Sequence, residues 1–405
     1  MRIIYVTSKL PFSSQEALII PEIRELKKRG HEVLVVPMYP RGAVLHGEAK
    51  PMLEHSVIKP LISPAIMRAG VQELRRGPLK ALRAFGWLLR SRNAQILLRS
   101  LAVYPKGLWL ARLTREWNAD HIHAHWASST ATLALVAGEV SSIPWSITAH
   151  RYDIPERSLL DIKARKACFF RAEDKQGQKE LLEYVRSKDF QPVMLHMGVD
   201  IPPPVNRQDP AEKQELRVVV PANLVEKKGH VYLLGALQLL KGRGVPVHAD
   251  LAGDGELRKE LERRVNELGL KDRVTFLGAL PHDKLMRQMQ AGRWDMIVLP
   301  SIETAAGEKE GIPVALIEAL GGQMPAVSTF SGGIAELFEG IEAALVPPED
   351  PMALAETIER LLVKDHGLRE QLIDLGYRRV QESFAIERVM DKLIRYFEKC
   401  ASNNG

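Results

Sequence analysis

The feature that most constrains the fold is a rhythm of short apolar runs and helical patterns that passes along the chain twice. The first series starts with the β-branched run Ile3–Thr7 and continues to Val193–Met197. The second series restarts at Arg217–Pro221 and ends near Ala343–Val346. Strands that alternate with helices are typical of a mostly parallel sheet covered by helices. The sequence therefore predicts two α/β domains.

A proline-rich stretch separates the two series. Pro202-Pro203-Pro204 is followed by the polar run Asn206–Glu215, and this composition is typical of a linker. We therefore predict one domain over residues 1–204 and a second over residues 205–384. A chain of 405 residues is long enough to give each domain its own core.

Composition excludes several classes of protein. With 45% hydrophobic and 26% charged residues, the chain is neither disordered nor fibrous. No run of about 18 uncharged apolar residues predicts a membrane-spanning helix, and the apolar run after Met1 is too short for a signal peptide. Cys168 and Cys400 are too few for a disulfide framework or a classical zinc site. We therefore expect a cytoplasmic protein, either free or peripheral on the inner face of the membrane.

Positive charge is concentrated in residues 65–117, where eleven basic residues stand against Glu73 and Glu116. Leucines and tryptophans recur between these charges at helical spacing, which predicts basic amphipathic helices. Such helices can dock on an anionic membrane surface. They can equally pack on their own domain with arginines in solvent. No nucleic-acid-binding motif accompanies the charge, so we expect no nucleic acid partner.

The motifs with chemical potential lie mainly in the second half. Glu310 and Glu318 flank Gly311-Ile312-Pro313, at a predicted loop-to-helix junction. A helix start offers free N–H groups to an anion, and carboxylates accept hydrogen bonds from sugar hydroxyls. Lys227-Lys228-Gly229 and Gly332-Gly333 each follow a predicted strand and could approach a phosphate. Each motif alone is also compatible with ordinary turn structure.

Histidines mark the first half. His121, His123 and His125 alternate on a predicted strand, so their side chains point the same way. This spacing without nearby cysteines is a poor zinc signature, and packing is the preferred interpretation. His150 follows the predicted strand Trp145–Thr148, at the end of the sheet where ligands of α/β proteins bind.

Taken in order, these motifs resemble the retaining nucleotide-sugar glycosyltransferases of the GT-B fold, family 4. The motifs that carry the resemblance are His123-Ala124-His125-Trp126, Ala149-His150-Arg151-Tyr152-Asp153-Ile154, Gly198-Val199-Asp200, Lys227-Lys228-Gly229, Gly253-Asp254-Gly255, Phe276-Leu277-Gly278, Pro300-Ser301, the Glu310-to-Glu318 pair and Gly332-Gly333. The run Glu308–Val314 is most similar to members that build exopolysaccharide, capsule or lipopolysaccharide. The resemblance implies two Rossmann-like domains facing across a cleft, with a last helix, 385–399, crossing back to the first domain.

The resemblance also implies roles. Glu310, with the amides of Gly311 and Ile312, would hold donor-sugar hydroxyls, and Glu318 would hold the donor ribose. Lys228 would stabilise the charge that grows on the leaving pyrophosphate, and His150 would face the sugar and acceptor. Gly332 and Gly333 belong to the implied donor site. The family is metal-independent, so no metal or cofactor is expected beyond the nucleotide sugar, which is a co-substrate.

Two positions depart from the family pattern. Asn223 stands where the family has arginine, so part of the charge on the phosphate side is missing unless Lys227 supplies it. The loop after the first strand lacks the Gly-Gly of many members, and Ser13 or Ser14 would then offer hydroxyls to the donor phosphate.

The sequence thus predicts a retaining hexosyltransferase that uses a nucleotide sugar, with a UDP-sugar as the expected donor. Its acceptor would be a saccharide or a lipid-linked saccharide of cell-surface polysaccharide synthesis. One alternative is a sugar synthase or epimerase of the same fold with a soluble substrate. Another is a non-catalytic nucleotide-sugar-binding subunit, which only Asn223 favours.

Overall fold

The structure is a computed structural model that describes residues 1–12, 14–42, 47–151, 153–206, 208 and 213–402. Contacts divide the chain into two compact units. The first comprises Met1–Gly198 with Ile386–Gly405, and the second comprises Val199–Ala385.

The first unit is built on a six-stranded sheet in the order β2-β1-β3-β4-β5-β6, and all its pairings are parallel. The strands are β1 (Arg2–Thr7), β2 (Glu32–Pro37), β3 (His121–His125), β4 (Trp145–Ala149), β5 (Phe170–Ala172) and β6 (Val193–Met194). The helices are α1 (Ile20–Lys28), α2 (Pro64–Arg76), α3 (Pro78–Leu88), α4 (Ala94–Glu116), α5 (Ser129–Ser141), α6 (Leu160–Lys166) and α7 (Lys175–Tyr184), with 3-10 turns at Ser14–Ile19 and Gly47–His55.

The second unit repeats this plan with its own six-stranded parallel sheet, in the order β12-β11-β10-β7-β8-β9. The strands are β7 (Leu216–Val220), β8 (Val247–Leu251), β9 (Val274–Phe276), β10 (Met296–Leu299), β11 (Ala326–Thr329) and β12 (Leu345–Val346). The helices are α8 (His230–Gly242), α9 (Arg258–Glu267), α10 (His282–Gln290), α11 (Val314–Gly321), α12 (Ile334–Leu337), α13 (Pro351–Glu359) and α14 (His366–Ser383). Short turns lie at Glu226–Lys228 and Glu342–Ala344, and a π-helical turn at Arg360–Lys364.

A final helix, α15 (Ile386–Ser402), returns to the first unit. Its apolar face, with Leu393 and Phe397, packs into the same core as Ile3 and Tyr5 of β1. Alternate β1 residues, Ile4 and Val6, face a second core beneath the helices of the opposite side. The sheet is therefore covered on both faces, as its continuous apolar strands require.

A disulfide joins Cys168 to Cys400, across 232 residues of sequence. It ties α15 to the segment before β5, although two cysteines had been considered too few for a disulfide framework. Disulfides are favoured by oxidising compartments. The expectation of a cytoplasmic protein drew on the low cysteine count, and in the structure these two cysteines are paired.

The basic stretch forms α2, α3 and α4, which have both buried and exposed apolar side chains. Ala81, Ala84 and Leu88 are buried in the core of the first unit. On α3, however, Leu79 is 79% exposed and Leu82 is 61% exposed. Within the described part of the chain, no helix is both long enough and apolar enough to span a membrane.

Candidate functional site

The centre of the candidate site is an ion pair between Lys228 and Glu310 in the second unit. Lys228 lies in the turn after β7, and Glu310 lies in the loop after β10. The two strands are neighbours in the sheet, so the loops at their carboxyl ends meet. Lys228 Nζ donates to Glu310 Oε2 at 2.9 Å, and the two side chains are 16% and 7% exposed. Two charges predicted separately thus form one partly desolvated pair.

Glycines bring the surrounding loops into close contact. Gly229 has a φ of +65°, and a Cβ there would lie 1.9 Å from the carbonyl oxygen of Pro300. Gly332 has a φ of +54°, and its Cβ would lie 1.9 Å from the carbonyl oxygen of Glu310. The Gly333 N–H donates to that same oxygen at 3.2 Å. Only glycine fits these positions, which fixes Glu310 against the Gly332-Gly333 loop.

Several buried polar atoms of these loops have no hydrogen-bond partner among the described residues. They are Glu310 Oε1, Ser301 Oγ and Ser331 Oγ. Leaving such an atom unsatisfied costs about 1–3 kcal/mol. A concentration of unsatisfied acceptors and hydroxyls around an ion pair is suited to binding a polar ligand rich in hydroxyl groups. Sequence reasoning named the Pro300-Ser301 motif without giving Ser301 a role.

Glu318 lies on α11, where its carboxylate accepts from His282 Nε2 at 2.7 Å. His282 begins α10 and was not predicted as a site residue, because nothing in its local sequence distinguishes it. Gly311 and Ile312 lie in the loop before α11, whose N-cap is Pro313. The proline therefore stands one position before the first helical turn.

The two remaining predicted donor residues of this unit lie nearby in sequence but differ in setting. Asn223 is exposed in the loop after β7. Lys227 is half-buried, and its carbonyl accepts from the Ile302 N–H at 2.8 Å, which ties the lysine loop to the loop after β10.

In the first unit, His150 directly follows β4 and is only 3% exposed. Its Nδ1 lies 2.7 Å from Glu173 Oε2, and its Nε2 lies 3.3 Å from His125 Nδ1. The ring of Trp126 lies 4.2 Å away, centroid to centroid. Burial alone would lower the pKa of His150, but Glu173, with Asp153, outweighs it and raises the pKa. Glu173 was not predicted from the sequence.

The three alternating histidines of β3 are all buried. His121 Nε2 and His123 Nδ1 contact the Ser146 hydroxyl of β4 at 2.7 and 2.8 Å. His125 Nε2 lies 3.3 Å from Glu22. These rings are packed and hydrogen-bonded along the interior of the sheet.

Backbone N–H groups of the loop after β1 bind the carboxylate of Glu16. Glu16 accepts hydrogen bonds from the N–H groups of Ser8, Lys9 and Leu10 at 2.8, 2.6 and 2.7 Å. It also accepts from Trp126 Nε1 at 2.8 Å. The predicted Ser13 lies outside the described residues. Ser14 begins the 3-10 turn, and its side chain is likewise outside them. The amides of this loop are thus already occupied by an internal carboxylate.

Comparisons with known proteins agree with this geometry. The family described as glycosyl transferases group 1 matches residues 204–379. The putative colanic acid biosynthesis glycosyltransferase WcaL of Salmonella typhimurium is 27% identical over 98% of this chain and 100% of its own length. The putative teichuronic acid biosynthesis glycosyltransferase TuaC of Bacillus subtilis is 25% identical over 95% of each chain. The crystal structure of Anabaena HepE in complex with UDP has a TM-score of 0.74 at 17% identity, covering 98% of this chain and 100% of that one.

The two parallel-sheet units and the structural likeness show the GT-B fold, which confirms the predicted fold class. The match to the glycosyl transferases group 1 family lies within the second unit, and the full-length relatives are named as polysaccharide glycosyltransferases.

Proposed function

We propose that this chain is a retaining hexosyltransferase that takes a UDP-sugar as donor and a saccharide or lipid-linked saccharide as acceptor, in the synthesis of a cell-surface polysaccharide. The observation that carries the proposal is the Lys228–Glu310 pair beside the Gly332-Gly333 loop, with an unsatisfied carboxylate oxygen on Glu310. The relatives named for colanic and teichuronic acid synthesis support the polysaccharide. The HepE complexes with UDP and UDP-glucose support the donor.

Each residue of the Lys228–Glu310 ion pair would have its own role in the reaction. Lys228 carries the positive charge that a departing pyrophosphate needs, and in a site shielded from water that charge is worth more than in solution. Glu310 has one oxygen on Lys228 and one oxygen that no described residue contacts by a hydrogen bond, which suits a sugar hydroxyl. Glu318, held by His282, would accept from the ribose hydroxyls. We propose that Lys228 and loop amides replace a metal ion here.

The proposed reaction is a displacement on the face of the sugar that the leaving group occupies, through an oxocarbenium-like state. The bond from the anomeric carbon to the diphosphate oxygen breaks as the bond to the acceptor oxygen forms. The acceptor proton passes to the departing phosphate, so no protein nucleophile is needed. His150, after β4, would contribute on the acceptor side.

The first test is thermal unfolding with millimolar UDP, GDP, ADP and their glucose conjugates. A ligand at 100 times its Kd adds about 2.7 kcal/mol to the folded state, or roughly 5–10 °C for a domain of this size. We expect a shift with UDP and UDP-sugars that Lys228→Met and Glu310→Gln diminish. Lys241→Met is the matched control, because Lys241 is paired with Asp272 on the surface of the same unit.

Transfer is tested by following the anomeric proton of the product by NMR. Retention of configuration supports the proposal, and inversion overturns the mechanism while leaving transfer intact. Turnover that is lost in Glu310→Gln excludes the non-catalytic subunit. A stable shift with a nucleotide but no transfer to any saccharide favours that subunit.

The exposed leucines of α3 favour a lipid-linked acceptor over a soluble one. Leu79 and Leu82 stand beside the exposed cations Lys80 and Arg83, and apolar side chains flanked by cations suit an anionic membrane surface. We expect flotation with vesicles containing anionic lipid, reduced in Leu79→Ser/Leu82→Ser. Val363→Ser, which alters an exposed apolar residue of the other unit, should change nothing. No flotation of the wild-type chain would favour a soluble acceptor.

A further inference from the structure

Four titratable side chains of the first unit form a continuous row. Glu173 Oε2 lies 2.7 Å from His150 Nδ1. His150 Nε2 lies 3.3 Å from His125 Nδ1, and His125 Nε2 lies 3.3 Å from Glu22 Oε2. The row thus begins and ends on a carboxylate, and both ring nitrogens of each histidine are engaged.

The row can be satisfied only with an extra proton. Each ionised carboxylate accepts and cannot donate, so the nitrogen facing it must carry a hydrogen. The two nitrogens that face each other need one more hydrogen between them. Three N–H groups are therefore required, whereas two neutral imidazoles supply two. With both carboxylates ionised, one of the two histidines is an imidazolium.

The carboxylates at both ends are held in the ionised form. Glu22 is fully buried, and burial would raise its pKa, but Arg171 Nη1 at 2.7 Å, helped by His125, lowers the pKa to about 2. Burial likewise opposes ionisation of Glu173, and His150 outweighs it and lowers the pKa. Glu22 is thus ionised beside Arg171 whatever the charge on His150, and the charges of Glu173 and His150 stabilise each other.

The surroundings place the extra charge on His150. Glu22 already has Arg171 as its cation, whereas in the part of the chain that the structure describes no arginine side chain lies within hydrogen-bonding distance of Glu173. The other charged or titratable groups that face His150 are Arg171, the neighbouring His123 and His125, and Asp153, which accepts from the His150 N–H at 2.9 Å and whose own pKa burial raises to about 7. The pKa of His150 is raised, whereas burial lowers that of His125.

We propose that Glu173 is a positioning residue that holds His150 as an imidazolium, so that a fixed positive charge lies at the carboxyl end of the first sheet. Because both ring nitrogens are engaged inside the protein, His150 would act on a ligand of the first unit as one half of an ion pair with Glu173 and not as a proton donor, with the Trp126 ring beside it. The catalytic consequence rests on the proposed function; the protonation state does not.

The protonation state is measured by NMR titration of histidine-labelled full-length protein without donor, with the His150 signals assigned from a His150→Asn variant. We expect His150 to carry both ring protons at pH 7, with His125 neutral. In Glu173→Gln the amide can donate to Nδ1, so two neutral imidazoles satisfy the row. The midpoint of the His150 titration should then fall by about one to two pH units. Glu173→Asp should recover part of that decrease relative to Glu173→Gln.

A neutral His150 at pH 6 in the wild-type chain, or the same midpoint in Glu173→Gln, overturns the proposal. The second readout is the pH profile of kcat for sugar transfer. Because the imidazolium loses its proton at alkaline pH, kcat should fall on the alkaline side of the profile. Glu173→Gln should move this decrease to lower pH. Glu183→Gln, on the exposed side of α7, should leave it in place. A raised His150 midpoint in a chain with no transferase activity would refute the proposed function and leave the charge assignment standing.

Discussion

The ion pair between Glu22 and Arg171 gives the sharpest stability prediction. Both side chains are 0% exposed, and Arg171 Nη1 donates to Glu22 Oε1 at 2.7 Å. Arg171 also donates to the carbonyl oxygens of Leu195 and His196, so the backbone that follows β6 fixes the position of its guanidinium. Removal of the carboxylate would leave this positive charge buried without a counter-ion.

The loss of unfolding free energy in a variant without the Glu22 carboxylate can be estimated in two ways. Arg171 and His125 overcome the effect of burial and lower the pKa of Glu22 from 4.5 to about 2. At 1.36 kcal/mol per pH unit, that corresponds to roughly 3 kcal/mol. Breaking a buried pair by removing one partner costs about 3–5 kcal/mol in other proteins. We therefore expect Glu22→Gln to lower the free energy of unfolding of the first unit by about 3 kcal/mol at pH 7.

The pH dependence has a definite sign. Because the folded pKa is lowered, this stabilisation is complete above about pH 4.5 and is lost as the pH falls toward 2. The wild-type first unit should lose stability over that interval, and Glu22→Gln should lose much less. Above pH 5 the difference between the two proteins should be constant with respect to this group.

The assay is urea unfolding followed by tryptophan fluorescence in a Trp294→Phe background, since the other five tryptophans all lie in the first unit. Glu32→Gln is the control, because Glu32 is 60% exposed and its pair with Arg2 is a surface contact. The double variant Glu22→Leu/Arg171→Met should be more stable than either single variant. Two results would refute this prediction. One is a loss of unfolding free energy below about 1 kcal/mol in Glu22→Gln. The other is a loss in the double variant equal to the sum of the losses in Glu22→Leu and Arg171→Met.

Three further predictions concern the loops and the disulfide. Gly332→Ala should abolish the UDP-induced thermal shift, because the new Cβ would clash with the Glu310 carbonyl. Gly307→Ala is the control, because Gly307 also has a positive φ, +79°, but a Cβ there would meet no atom within 4 Å. His282→Ala should raise KM for the donor more than it lowers kcat, since it frees Glu318, and His366→Ala is the control; equal kinetics in both variants would remove His282 from the site. Thiol titration of the denatured, unreduced chain should find no free cysteine, and reduction should destabilise the first unit by up to about 5 kcal/mol; two free thiols would contradict the pairing.

The fold could be predicted from the sequence because it depends on local patterns. The predicted strands Ile3–Thr7, Trp145–Thr148 and Arg217–Pro221 agree to within one residue at each end with β1, β4 and β7. The basic helices show the limit of this approach. Periodicity predicted their amphipathic faces, but which leucines are buried depends on how α3 packs against α5. Leu88 is buried, whereas its neighbour Leu89 is exposed.

Sequence motifs nominated candidate site residues, but they could not predict the contacts of those residues. Lys228 and Glu310 are 82 residues apart, and they meet because β7 and β10 are adjacent in the sheet. Glu173 and Glu16 have no distinctive sequence motif, since their roles arise from the loops they contact. Cys168 and Cys400 pair because α15 returns to the first unit, which spacing in the sequence does not reveal.

The two units hold their charges in different ways, and this difference bears on how ligands act. In the first unit, the row from Glu173 to Glu22 engages every ring nitrogen, and Arg171 completes it, so the arrangement is already satisfied without ligand. In the second unit, the ion pair has an unsatisfied oxygen, and nearby serine hydroxyls also have no partner among the described residues. Polar ligands gain most where protein groups are unsatisfied, because no internal hydrogen bond is lost on binding. The donor is therefore expected to gain most of its hydrogen-bond energy in the second unit.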